Sequence, residues 1–134
     1  MECRVSYTVY YEDTDCLGIV YYANYFKYME RGRTEYLAAN GTSIADWNRE
    51  GIAIVVASAK ARFRKPARLG DVLDVVTTFT ANSRFRGTFT HRIECAGTLL
   101  VNGTVEVACV DGDQRLRELP DLLVALSASP SPAR

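Results

Sequence analysis

Few side chains in this sequence combine reactivity with a setting that could use it. Glu12-Asp13-Thr14-Asp15 gathers three carboxylates just ahead of Gly18 and a long apolar-periodic segment. A carboxylate so placed is able to accept a proton or to attack an electrophile itself. Taken alone, an acidic loop before a helix is usually a solvated turn. The single histidine, His91, lies between Phe89 and Ile93 on the apolar side of an alternating run, the setting of a hydrogen-bonded core histidine. The four cysteines stand at 3, 16, 95 and 109 without a CxxC pair, so neither a metal nor a cofactor is expected. Glu30 and Arg33, three apart, and Arg31 and Glu35, four apart, have the spacing of ion pairs on one helix. Arg62, Arg64, Lys65, Arg84 and Arg86 suit either a phosphate grip or a solvated strand face.

The elements that must hold these groups follow from periodicity. Cys3, Val5, Tyr7, Val9 and Tyr11 alternate with mostly polar residues, which predicts a first strand covered on one face. After Gly18 the period changes. Tyr22, Tyr25, Met29, Gly32, Tyr36 and Ala39 recur at three- and four-residue steps, predicting a helix of about five turns that Asn40-Gly41 stops. Glycine at position 32 costs roughly 1 kcal/mol against alanine in a helix interior, so a sheet is expected to approach closely there. Ser43, with Asp46 three residues on, predicts a short second helix.

The remainder reads as strand. Ile52 to Lys65 places Ala53, Val55, Ala57, Ala59, Ala61 and Phe63 on one side; Val72 to Ala81 follows, then runs of alternating residues from Phe85 to Cys95 and from Leu99 to Cys109. Pro120 to Leu126 suggests a terminal helical turn, and 127–134 a loose tail behind a single domain over 1–126. One strand, one long helix and four strands on tight connections give an α+β domain whose sheet must be largely antiparallel.

The 134 residues, 48% hydrophobic, suffice for one core. Lys plus Arg and Asp plus Glu each total 16, so no net field favours nucleic acid or an anionic membrane. The longest apolar run, Ile52 to Ala57, is far below spanning length. A soluble, cytoplasmic protein with reduced thiols and no membrane insertion is expected.

The stretch Tyr11-Glu-Asp-Thr-Asp-Cys-Leu-Gly-Ile-Val-Tyr-Tyr-Ala-Asn-Tyr25, continued by Glu30-x-x-Arg33, resembles hotdog-fold thioesterases of the 4-hydroxybenzoyl-CoA thioesterase and YbgC-like group. Arg64-Lys65-Pro66-Ala67-Arg68, Gly70-Asp71 and Ala108-Cys109-Val110-Asp111 extend the resemblance over most of the chain. It implies a five-stranded antiparallel sheet wrapped around one long helix, homodimers or homotetramers formed by joining sheets, and hydrolysis of acyl-CoA or acyl-carrier-protein thioesters. A non-catalytic thioester-binding module is the rival reading.

By the same resemblance Asp15 is the catalytic carboxylate, and the backbone N–H of Tyr22 holds the thioester carbonyl oxygen. Helix starts carry unpaired N–H groups and positive potential, which suits that role. Gly18, Ile19, Val20, Tyr21 and Tyr25 then border the substrate, and Arg64, Lys65, Arg84 and Arg86 are the candidates for coenzyme A phosphates. Asp13 is expected to be structural. Glu30 is second choice for a functional acid, since another branch of hotdog thioesterases carries its carboxylate on the helix. Many YbgC-like sequences have histidine where this chain has Tyr22, so no imidazole assists here.

Overall fold

The computed structural model describes residues 1–127. Five strands, β1 (Glu2–Thr8), β2 (Ala53–Phe63), β3 (Val72–Ala81), β4 (Arg86–Cys95) and β5 (Thr98–Val110), form one sheet in the order β1-β3-β4-β5-β2. Every neighbouring pair is antiparallel. The long helix α1 (Asn24–Ala39) packs across one face of the sheet, while α2 (Ile44–Arg49) and α3 (Asp121–Leu126) are short accessories of six residues each. This is the hotdog architecture expected from the strand and helix order.

The core is where the alternation puts it. Tyr25, Tyr28, Met29, Tyr36 and Leu37 of α1 are buried against Val75, Phe79, Phe89, Ile93, Val101, Val105 and Val107 of the sheet. At roughly 1.5–3 kcal/mol for each large apolar side chain buried, this interface outweighs the cost of glycine in α1. Gly32 faces the sheet at the predicted close approach. A Cβ there would lie 2.7 Å from Thr77 Oγ1 and 2.8 Å from Val75 Cγ1. Gly32→Ala is therefore expected to destabilise: overpacking of about 1–3 kcal/mol exceeds the roughly 1 kcal/mol gained in helix propensity. Urea unfolding should show a lowered midpoint at unchanged slope; a raised midpoint would mean that the sheet gives way.

Three local readings need correction. β1 ends at Thr8 rather than Tyr11, because Val9 turns its N–H to Asp71 O (2.8 Å) and Tyr11–Asp13 forms a 3-10 turn. α1 starts at Asn24, two residues after Tyr22, through i→i+3 bonds from Asn24, Tyr25 and Phe26 to Tyr21, Tyr22 and Ala23. In β2 the register slips between Val56 and Ser58, leaving Ala57 as an extra residue. Such a bulge inverts the inside–outside phase. Ile52 and Ile54 pack inward before it and Ala61 after it, so Ala53 to Phe63 do not share one face.

Ser43 caps α2 by accepting from Asp46 N–H at 3.1 Å, as its spacing predicts. Pro120 is the N-cap of α3 rather than its first residue. Ser127 accepts from Ala81 N–H (2.7 Å); the rest of the expected tail, 128–134, lies outside the described residues.

Candidate active site

The Asp15 loop is a miniature ladder stitched to its surroundings. Asp15 N–H donates to Ile19 O (2.9 Å) and Tyr21 N–H to Asp13 O (3.0 Å), with Thr14 paired to Val20 between them. Gly18, at φ +76, closes the turn by donating to Asp15 O (3.1 Å). The segment after β2 then fastens the loop from outside. Val20 N–H donates to Ala67 O, Leu69 N–H to Gly18 O, and Ala67 N–H to the buried Tyr25 hydroxyl at 3.0 Å. Ala67, Arg68 and Leu69 thus brace the catalytic candidate, and Gly70 and Asp71 tie the same segment to Val9 at the end of β1.

The two aspartates sit in different settings. Asp13 is buried; its Oδ2 accepts from Tyr10 N–H (2.9 Å) and from the Tyr28 hydroxyl (2.8 Å), and its carbonyl accepts from Asn24 Nδ2 (3.0 Å). Burial, then the Asp13 carboxylate, push the Tyr28 hydroxyl well above its ordinary range, so it stays protonated and donates. Asp15 is only half-buried. Its Oδ1 accepts from Leu17 N–H (2.8 Å), while Oδ2 has no partner among the described residues. One aspartate ties the loop to α1, and the other keeps an oxygen free.

Tyr22 and Ala23 occupy the turn leading into α1, and among the described residues their N–H groups have no acceptor. No side chain caps this terminus, since Asn24 is turned toward Asp13. Asp15 and Tyr21 are two rungs apart on the loop ladder, roughly 7 Å along the chain direction. The open donors and the free carboxylate oxygen therefore belong to one short segment. Beside them Tyr22 and Tyr25 meet Phe63 at ring-centroid distances of 6.0 and 5.6 Å, and Tyr21 meets Tyr22 at 4.8 Å. Tyr21, Tyr22 and Phe63 remain about half exposed, forming an aromatic wall at the end of β2.

The basic candidates divide. Arg64 and Lys65 follow β2 at the aromatic wall, where both backbone N–H groups reach Leu100 O and Arg64 Nε reaches Asn102 Oδ1 (3.0 Å). Arg84 and Arg86 flank the start of β4, whose Arg86 pairs with Ala108 of β5, while Phe63 pairs with Val101. Seven residues of β5 separate the two groups, roughly 23 Å, so one protomer does not bring them together. Arg84 is moreover ion-paired with Glu118.

The expected helix ion pairs do not form among the described residues. Arg31 stacks over the rings of Tyr7 and Tyr28, at 5.9 and 5.3 Å from their centroids. Glu30 accepts from the Thr34 hydroxyl (2.8 Å), and Arg33 reaches inward to His91 Nε2 (3.3 Å). His91 is fully buried, as its place in the alternation predicts. Burial first, then the Arg33 charge, hold its pKa down at about 3.

The unfolded value is about 6.5. Between pH 6.5 and 3 the unfolded chain consequently binds the extra proton, and stability falls as pH falls. By pH 5 this amounts to about 2 kcal/mol. In urea unfolding at pH 7, 6 and 5, His91→Gln should flatten the decline above pH 5; an unchanged pH slope would mean that His91 is not the group responsible.

Known proteins share this frame. The thioesterase-like superfamily model matches residues 9–130. The acyl-CoA thioester hydrolase YbgC of Escherichia coli O6:H1 is 43% identical over 122 residues, covering 87% of this chain and 89% of that protein. The acyl-CoA thioesterase YbgC of Haemophilus influenzae is 38% identical over 104 residues, covering 77% and 76%. The solved structure of a probable thioesterase from Bartonella henselae superposes with a TM-score of 0.84 at 28% identity, covering 90% of this chain and all of that one. With sheet order, central helix and family match in agreement, the chain belongs to the thioesterase-like superfamily as a hotdog-fold member.

Proposed function

We infer that this thioester hydrolase acts on acyl-CoA, releasing a free acid and coenzyme A, with Asp15 as the essential carboxylate and the N–H groups of Tyr22 and Ala23 as oxyanion donors. The observation that carries this reading is the open helix entry beside a braced loop whose Asp15 keeps one carboxylate oxygen free. The relatives named as acyl-CoA thioester hydrolases supply the substrate class.

A thioester is already activated, and its thiolate leaves readily, so one carboxylate suffices without a strong acid for the leaving group. Asp15 either deprotonates a water that attacks the carbonyl carbon or attacks it directly, giving a mixed anhydride that water then opens. In both routes the carbonyl oxygen gains charge, which preorganised N–H groups at a positive helix end stabilise. The half-exposed Tyr21, Tyr22 and Phe63 and the buried Tyr25, with Gly18, Ile19 and Val20 behind them, border the acyl group, and Arg64 and Lys65 are placed to meet coenzyme A phosphates. Arg84 and Arg86 reach the same ligand only if a second subunit carries them.

The test is release of free thiol from aromatic and aliphatic acyl-CoA esters and from acyl-carrier-protein esters. Turnover of CoA esters is expected. Binding without thiol release from any ester would replace the enzyme with a thioester-binding module.

Self-association belongs to the same reading. The edge strand β2 leaves an unpaired edge, with Val55, Val56 and Phe63 exposed, a liability that pairing with a second copy removes. Sedimentation at micromolar concentration should give twice the 14.9 kDa chain mass, or four times it; a monomer would contradict the joined sheet.

A further inference from the structure

The segment between β2 and β3 is pinned at both ends. Arg64 and Lys65 N–H both donate to Leu100 O (2.8 and 3.2 Å), Gly70 N–H donates to Val9 O (3.0 Å), and Asp71 O accepts from Val9 N–H (2.8 Å). Between these anchors the segment carries the Asp15 loop on its backbone. Ala67 O accepts from Val20 N–H (2.9 Å), Ile19 and Arg68 form a bridge, and Leu69 N–H donates to Gly18 O (3.1 Å). The place of the loop relative to the sheet is set here.

Its place relative to α1 is set at two points. Asp13 fastens one end of the loop through Tyr28 and Asn24, and a single tie leaves a loop free to pivot. The second tie is indirect. Among the described residues, one hydrogen bond joins residues 64–71 to α1: Ala67 N–H donates to the Tyr25 hydroxyl at 3.0 Å. Ala67 is 0% and Tyr25 3% exposed, so solvent does not replace this bond if it is lost. Burial pushes the Tyr25 hydroxyl above its ordinary range, against the opposing pull of the Ala67 amide. It therefore stays neutral and offers the amide a lone pair. Tyr25 is the second residue of α1, and its own N–H closes the entry turn on Tyr22 O (3.3 Å). The turn that carries the open Tyr22 and Ala23 donors is thus tied to the segment that carries the Asp15 loop.

We propose that Tyr25 is a positioning residue for thioester hydrolysis, its hydroxyl fixing the spacing between the Asp15 carboxylate and the N–H groups at the entry of α1 through Ala67 and Val20. This rests on Asp15 being the essential carboxylate. Two groups that meet one carbonyl from different segments are aligned only if the segments are tied together. An ångström of misplacement costs such a pair about 10²-fold in rate.

Tyr25→Phe removes one oxygen and keeps the ring against Phe63. Its kcat on acyl-CoA should fall by about 10–10²-fold, with KM little changed. In an Asp15→Asn background the same substitution should cost far less, because a group that acts through Asp15 then has nothing left to position. Hydrogen exchange without substrate gives an independent reading. In the parent, the Ala67 amide should be strongly protected. In Tyr25→Phe, the amides of Asp15, Val20 and Leu69 should exchange about tenfold faster or more, while those of the central strand β4 stay as in the parent and show that the fold persists. Parent-like kcat in Tyr25→Phe beside an inactive Asp15→Asn would overturn the proposal. Equal losses in both backgrounds, an Ala67 amide that exchanges like an unstructured one, or a raised KM at unchanged kcat would do the same, the last by making the hydroxyl a substrate contact. Retained turnover in Asp15→Asn alone would instead overturn the carboxylate assignment on which the proposal rests.

Discussion

Asp15→Asn is expected to lower kcat for acyl-CoA hydrolysis by about 10²–10⁴-fold, the usual worth of a positioned general base or nucleophile, while substrate affinity changes little. The amide oxygen still accepts from Leu17 N–H as Oδ1 does, so the turn and its backbone ladder persist. What disappears is the basic, unpartnered Oδ2. Stopped-flow binding and single-turnover thiol release separate the two effects. Turnover within a few-fold of the parent would remove Asp15 from the chemistry, whatever the substrate. In ¹⁸O-labelled water, label entering the Asp15 carboxylate during turnover would select direct attack, with the anhydride opened at the Asp15 carbonyl; label found only in the released acid would fit activated water or an anhydride opened at its acyl carbon.

The second large effect concerns a residue that touches no reacting atom. Asp13→Ala should cost about 2–4 kcal/mol of stability, because the buried Tyr28 hydroxyl and the Tyr10 N–H both lose their acceptor. It should also depress kcat by about 10²-fold, since an ångström of misplacement in a reacting group is enough for that. Tyr28→Phe removes only the hydroxyl and keeps the ring, so its loss should be smaller in both measurements. A merely structural role predicts loss of stability with kcat of the folded fraction intact. A positioning role predicts that kcat falls in parallel across both variants, and that outcome is expected here.

Much of this arrangement was legible in the residues because period and type agreed. Alternation in β1, β3, β4 and β5 marked the buried faces, and the three-four spacing from Tyr25 to Tyr36 marked the buried side of α1. Gly32 announced its contact because glycine at an apolar helical position has few other uses. The features that escaped are those in which a tertiary partner outcompetes a local one. Glu30 and Arg33 have pairing geometry on paper, yet a buried imidazole claims the arginine and a neighbouring hydroxyl claims the glutamate. The β2 bulge escaped because one extra residue in a run rich in alanine and valine leaves no mark on composition. The different settings of Asp13 and Asp15 were not legible in the residues, since they depend on Tyr28, fifteen residues away from Asp13. Likewise, nothing in the spacing of four arginines and lysines tells that β5 holds two of them far from the others.

The central claim is that one thioester carbonyl is held between the free oxygen of Asp15 and the N–H groups at the entry of α1. A crystal structure of Asp15→Asn with an intact acyl-CoA bound is the most direct measurement of it. The carbonyl oxygen should lie about 2.7–3.1 Å from the N–H of Tyr22 or Ala23, with the carbonyl carbon about 3–3.5 Å from the side chain at position 15. An acyl-CoA whose carbonyl sits away from both groups, in a protein that hydrolyses it when position 15 is restored, would contradict the account.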